Sequence, residues 1–129
     1  MDKRIIRTAD APAPIGPYNQ AVAAGPFLFV SGQVALDAQT GRTYTGGDIR
    51  EETRRVMDNL MSILTEANTS FGSVVKSTIF LMDMADFAAV NEVYGSYFDE
   101  ATAPARETVQ VAGLPRGVRV EISVVAMLT

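Results

Sequence analysis

The sequence predicts an α+β fold in which one mixed or antiparallel sheet carries two helices on a single face, as one domain over 1–129. Three observations carry that expectation. The segment Asp48–Asn68 repeats apolar residues at the 3.6-residue helical period, and Asp86–Phe98 does so again with aromatics. Short β-branched and aromatic runs bounded by Gly and Pro stand before, between and after them, giving the order β-β-β-α-β-α-β-β. The chain has 129 residues, 47% of them apolar, which is enough for one packed core and unlike a disordered segment.

Ile5-Ile6-Arg7 starts a short strand. Pro12, Pro14 and Pro17 then prevent a ladder, so Ala9–Pro17 is a stiffened loop that delivers Tyr18-Asn19-Gln20 onto the strand Ala21–Ala24. Gly25-Pro26 turns the chain into Phe27-Leu28-Phe29-Val30, which ends in Ser31-Gly32, a pair that suits a bulge. Leu36–Gly47 reads as loop. In the first helix Asp48 and Glu51 have capping-box spacing, each carboxylate being expected to take an orphan backbone N–H. Ile49, Thr53, Val56, Leu60, Ile63, Leu64 and Ala67 form its stripe, Glu51 and Arg55 pair at i,i+4 on the outer face, and Asn68 stops it.

Val74–Met82 is a strand, expected to turn Val75, Ile79 and Leu81 to one side and Val74, Phe80 and Met82 to the other. The second helix follows, with Phe87, Val90, Tyr94, Tyr97 and Phe98 at helical spacing. Two last strands flank Leu114-Pro115-Arg116-Gly117, a turn sequence that predicts a hairpin bringing Arg106 and Glu121 towards one end. Phe80, Met82, Val125 and Met127 leave apolar surface on a sheet face that no helix covers. A monomer should not hold such a patch in water, so an oligomer is expected.

A net charge of −4 offers no basic footprint for nucleic acid, and no apolar run approaches a membrane span. With no apolar signal core near Met1, the simplest expectation is a soluble cytoplasmic protein. The chain has neither His nor Cys, which removes the usual general base, the thiol nucleophile and the commonest metal ligands. Chemistry is left to carboxylate, guanidinium, phenol, hydroxyl, amine and backbone groups.

Arg106 carries a rigid fork of donors that matches a carboxylate, although a surface ion pair with Glu107 is the more frequent arrangement for a lone arginine. Glu121 lies among valines, where a raised pKa would suit an acid or base; a glutamate on the wet side of an edge strand is equally common. Tyr18 is a phenol on a stiff loop, Ser31-Gly32 offers a hydroxyl and a backbone N–H, and Asn91 interrupts the second helix's stripe as a buried amide would. Thr108, a β-branched strand residue, is neutral by itself.

As an ordered set these residues resemble a known family. Gly16-Pro17-Tyr18-Asn19-Gln20-Ala21, Phe29-Val30-Ser31-Gly32-Gln33, Asp86–Asn91, Pro104-Ala105-Arg106, Leu114–Gly117 and Val120-Glu121-Ile122 resemble the Rid (YjgF) reactive-intermediate deaminases over nearly the whole chain. The resemblance implies a chorismate-mutase-like α+β domain, a homotrimer with clefts between subunits, and no cofactor. It implies hydrolysis of small 2-imino or 2-enamino acids, such as 2-iminobutanoate and 2-aminoacrylate, to 2-oxo acids and ammonia. Carried over, Arg106 would clamp the substrate carboxylate and Glu121 would activate water, with Tyr18 lining the cleft and facing Arg106 from a neighbouring subunit. Ser31 and Gly32 would shape the wall, backbone around Thr108 would meet the carboxylate, and Asn91 would support.

Three positions depart from the family pattern: Thr108 where cysteine is common, Ala103 where an aromatic often precedes the proline, and Ser123 in place of a second acid. A non-catalytic trimer that binds a small carboxylate metabolite for regulation is the rival expectation.

Overall fold

The structure, a computed structural model, describes residues 2–128. Its strands are β1 (Lys3–Ile6), β2 (Ala21–Ala24), β3 (Phe27–Gln33), β4 (Val74–Leu81), β5 (Ala105–Gln110) and β6 (Val120–Met127). Helix α1 (Ile49–Glu66) follows β3, and α2 (Phe87–Gly95) connects β4 to β5. The chain order is the expected one, and the α+β class holds.

The six strands form one sheet in the order β1-β2-β3-β6-β4-β5. Every neighbouring pair is antiparallel except β4 and β5, which run parallel, so the connection through α2 must carry the chain back to its starting edge. This corrects the expected hairpin. Residues 114–117 do turn the chain, with Val118 N–H donating to the Pro115 carbonyl at 3.3 Å. Arg116 (φ 59°, ψ 20°) and Gly117 (φ 71°) give it the left-handed pair of a type I′ turn. Yet the strands on either side never pair. β6 buries Val120, Ile122, Val124 and Ala126 and takes the sheet centre; β5, Ala-Arg-Glu-Thr-Val-Gln, has no fully buried residue and goes to the edge.

Both helices lie on one sheet face. Val56, Leu60, Ile63 and Leu64 of α1 pack against a floor that includes Leu28, Ile79, Leu81, Val120 and Ile122, all 0–1% exposed. Asp48 caps α1 by accepting from Arg50 N–H at 2.9 Å. The other half of the expected box is not made, because Glu51 spends its carboxylate on Arg54 and Arg55 and the Asp48 N–H goes to the Tyr44 hydroxyl. Asn68 adopts φ 60° just past the helix, as a C-terminal stop does. Helix α2 ends at Gly95, earlier than its periodicity suggests; Tyr97 and Phe98 instead fold back edge-on to Phe71.

Two bulges set the phase of the strands. Between Val74 and Lys76 the register shifts, so Val74 is buried with Ser77, Ile79 and Leu81 while Val75 faces out. That reverses the expected sides of Val74 and Val75. The second shift, between Val30 and Gln33, is the anticipated Ser31-Gly32 bulge. On the helix-free face Ile5, Phe27, Phe29, Val75, Val109 and Met127 are each more than a third exposed.

Candidate functional site

Glu121 rises from the helix-free face, since its neighbours Val120 and Ile122 point into the core. The bulge puts Gly32 directly against it, and a Cβ there would land on the carboxylate. Here glycine is needed for close approach. Half-buried and with no hydrogen-bond or ion-pair partner among the described residues, Glu121 has its pKa raised by desolvation. It lines a cavity of about 490 Å³ with Tyr18, Ser31, Gly32 and Arg116.

The walls of that cavity are held by backbone contacts. Ser31 Oγ donates to the Asn19 carbonyl at 2.6 Å, and Ser31 N–H to the Gln20 carbonyl at 2.9 Å. Buried Gln20 ties the proline loop down, its Nε2 donating to the Thr8, Ala11 and Pro12 carbonyls and its Oε1 accepting from Thr8 N–H. Tyr18, half exposed, accepts a long 3.4 Å bond from Ile15 N–H, which leaves its own O–H free to donate into the cavity.

Arg106 is on the opposite face. It stands beside Ser77 in the β4–β5 register, and Ser77 is buried beneath the helices. Its Nη1 donates to Asn91 Oδ1 at 2.7 Å, and its guanidinium carbon lies 5.8 Å from the Phe87 ring centre and 5.1 Å from that of Tyr94. Arg106 makes no ion pair among the described residues; Glu107 pairs with Lys76 instead. Asn91 is exposed and grips Arg106, which corrects its expected role as a buried amide. Two residues on, Thr108 shares this face, and its Oγ1 is enclosed with no partner. A second cavity, of about 550 Å³, opens beside Arg106, Asn91, Tyr94 and Ala103.

One chain therefore carries two separate clusters. β4 lies between them, Arg106 beside Ser77 and Glu121 beside Phe80. Two strand spacings of about 4.8 Å and three residues of about 3.3 Å separate their Cα atoms by ~14 Å, with the side chains on opposite faces. Tyr18, Ser31, Gly32 and Glu121 are brought together; Arg106, Asn91 and Thr108 are brought together elsewhere.

The model of the family described as endoribonuclease L-PSP matches residues 8–128. A RutC family protein of Synechocystis is 56% identical over 99% of this chain and 98% of its own length. The 2-iminobutanoate/2-iminopropanoate deaminase of Mus musculus is 47% identical over 97% and 91% of the two chains. The chain belongs to this family, the Rid (YjgF) family of the sequence resemblance. A solved family structure, Escherichia coli TdcF with bound serine, superposes with a TM-score of 0.89 at 41% identity, covering 98% of this chain and 99% of that one.

Within this Rid-family chain the periodicity reading missed two supports of the Glu121 side. Glu52, wholly buried, accepts from Arg119 N–H at 2.7 Å and from Arg119 Nε at 2.9 Å, fastening the start of β6 to α1. Asn59 Nδ2 donates to the Val34 and Leu36 carbonyls and holds the chain leaving β3. Both lie in phase with Val56 and Ile63, and polar residues in register with an apolar stripe were the available signal.

Proposed function

We propose that this protein hydrolyses 2-imino acids and their enamine tautomers to 2-oxo acids and ammonia, in a site shared between two copies of the chain. The observation that carries the reading is Glu121, a half-buried carboxylate with no partner among the described residues, facing a cavity beside the Tyr18 phenol. The mouse relative's name, an imine deaminase, gives the reaction class. In the shared site, Glu121 and Tyr18 of one copy face Arg106 and Thr108 of the next, and the uncovered apolar sheet face supplies the surface for assembly as a trimer.

The chemistry asks little. Arg106 binds the substrate carboxylate through two N–H groups, and backbone around Thr108 meets it as well. Arg106 also offsets the negative charge that would repel an incoming water. Glu121 takes a proton from that water as its oxygen bonds to the carbon of the protonated imine, giving a tetrahedral amino alcohol. The carboxyl then returns the proton to nitrogen, the C–N bond breaks, and ammonia leaves as the hydroxyl proton passes back to the Glu121 carboxylate, with the 2-oxo acid behind. Desolvation raises the pKa of Glu121, which strengthens it as a base.

The test couples the protein to a threonine dehydratase and follows 2-oxobutanoate while semicarbazide competes for the imine. Acceleration over buffer is expected from wild type and none from Arg106→Ala of unchanged oligomeric state; equal rates would overturn the proposal. The TdcF structure with bound serine favours a second reading, in which the cleft only holds a small amino or carboxylic acid. Tight 2-oxobutanoate binding without turnover would select it.

A further inference from the structure

Resting on the carboxylate-clamp reading of Arg106, we propose that Tyr94 is its positioning residue, fixing the guanidinium through a closed loop of contacts that runs back to Arg106's own strand neighbour. Phe87, Asn91 and Tyr94 occupy i, i+4 and i+7 of α2 and so present one face to β5. Asn91 takes the guanidinium edge and the two rings lie within cation–π range of it.

Of the three, only Tyr94 is anchored at its far end. Its O–H donates to Ser77 Oγ at 2.9 Å; Tyr94 is 5% and Ser77 0% exposed. Ser77 is also the residue paired with Arg106 in the β4–β5 register. The path therefore goes from Arg106 across the sheet to Ser77, up to the Tyr94 hydroxyl, along its ring and back to the guanidinium.

This loop addresses a specific difficulty. β5 is an edge strand, and an arginine on it has four side-chain torsions and water on one side. An arginine left free would lose rotamer freedom each time it took a carboxylate, and that loss would weaken binding. The Tyr94 ring holds the flat side of the fork and Asn91 one nitrogen, leaving the remaining N–H groups for the ligand. Any buried phenol needs a hydrogen-bond partner; what singles out Tyr94 is that its partner is the strand neighbour of Arg106. Burial raises the pKa of Tyr94, so the phenol is a neutral donor throughout the working range.

The test compares Tyr94→Leu, Tyr94→Phe and Ser77→Ala with Ile63→Val, a core truncation on α1, the helix that packs over β3 and β6. Kinetics with 2-iminobutanoate, calorimetric binding of 2-oxobutanoate, and the proton shift of Arg106 Nε–H, assigned by its loss in Arg106→Lys, are the readouts. Tyr94→Leu should raise KM and the 2-oxobutanoate Kd by about 3- to 30-fold, with kcat changed less, and should remove the ring-current shift. Tyr94→Phe and Ser77→Ala, which keep the ring but free its end, should raise KM about 2- to 3-fold. Ile63→Val should lower the melting temperature and leave KM and the shift alone. Should Tyr94→Leu not fold, the other two variants carry the test. Unchanged KM and shift in the Tyr94 and Ser77 variants, with Arg106→Ala inactive, would overturn this inference and spare the clamp. Full activity in Arg106→Ala would overturn both.

Discussion

The two half-sites are built on opposite plans. The Arg106 side is a restrained cation: an amide, two rings and a buried hydroxyl hold one side chain on an edge strand. The Glu121 side is an unpartnered anion on a central strand, where precision belongs to the backbone around it, the bulge at Gly32 and the loop tied by Gln20. The difference suits the tasks proposed for them. A group that binds gains from being fixed in advance, whereas a group that takes a proton must keep its lone pairs free for water. An ion pair between them within one chain would have cancelled both.

The largest effect should come from mixing inactive chains. Arg106→Ala and Glu121→Gln should each lose almost all turnover. Co-refolded in equal amounts, they should recover about a quarter of wild-type activity, because about one interface in four pairs an intact Arg106 with an intact Glu121 in a randomly mixed ring. No recovery would place both groups within a single chain's site and end the two-plan comparison.

Glu121→Gln alone should lower kcat by about 10²- to 10⁴-fold with little change in 2-oxobutanoate affinity. The acid limb of the wild-type kcat/KM profile should sit above the ordinary glutamate range. The same shift has a stability consequence. A pKa raised by folding contributes stability below the unfolded value, and that contribution is lost as pH rises through the folded value. Glu121→Gln should therefore melt higher than wild type at neutral pH, with the gap closing in acid.

Supports should behave differently from the groups they support. Glu52→Ala leaves Arg119 without its buried partner and should cost about 3 kcal/mol in chemical denaturation. Gly32→Ala drives a methyl into the Glu121 carboxylate and should cost ~1–3 kcal/mol together with much of kcat, while leaving anion binding at Arg106 intact. Arg116→Gly should be the mildest change. It relieves a left-handed non-glycine residue and should raise stability by about 1 kcal/mol.

Much of this was legible in the residues. The helices announced themselves by period and cap, the bulge by Ser31-Gly32, and the uncovered face by apolar residues left over after the helices were placed. Arg106 and Glu121 stood out because a chain without His or Cys has few alternatives. The pairing of β5 was not legible, because Pro115-Arg116-Gly117 makes the same tight turn whether or not its flanking strands are neighbours. What decides is which strand can bury a whole face, and Val120, Ile122, Val124 and Ala126 win that place over Arg106 and Thr108. Nor could local sequence show the Arg106–Asn91 contact, which depends on how α2 lies across the β4–β5 edge.

The position of β6 has a further consequence, in time rather than space. This strand is synthesised after the other five, yet it lies between β3 and β4 and joins the β1-β2-β3 meander to the β4-α2-β5 unit. Until residues 120–127 are available, β3 and β4 each lack the neighbour that β6 supplies, and the two units cannot join into one sheet. Closure depends on contacts distant in sequence, β3 with β6 above all, a route that favours slow folding.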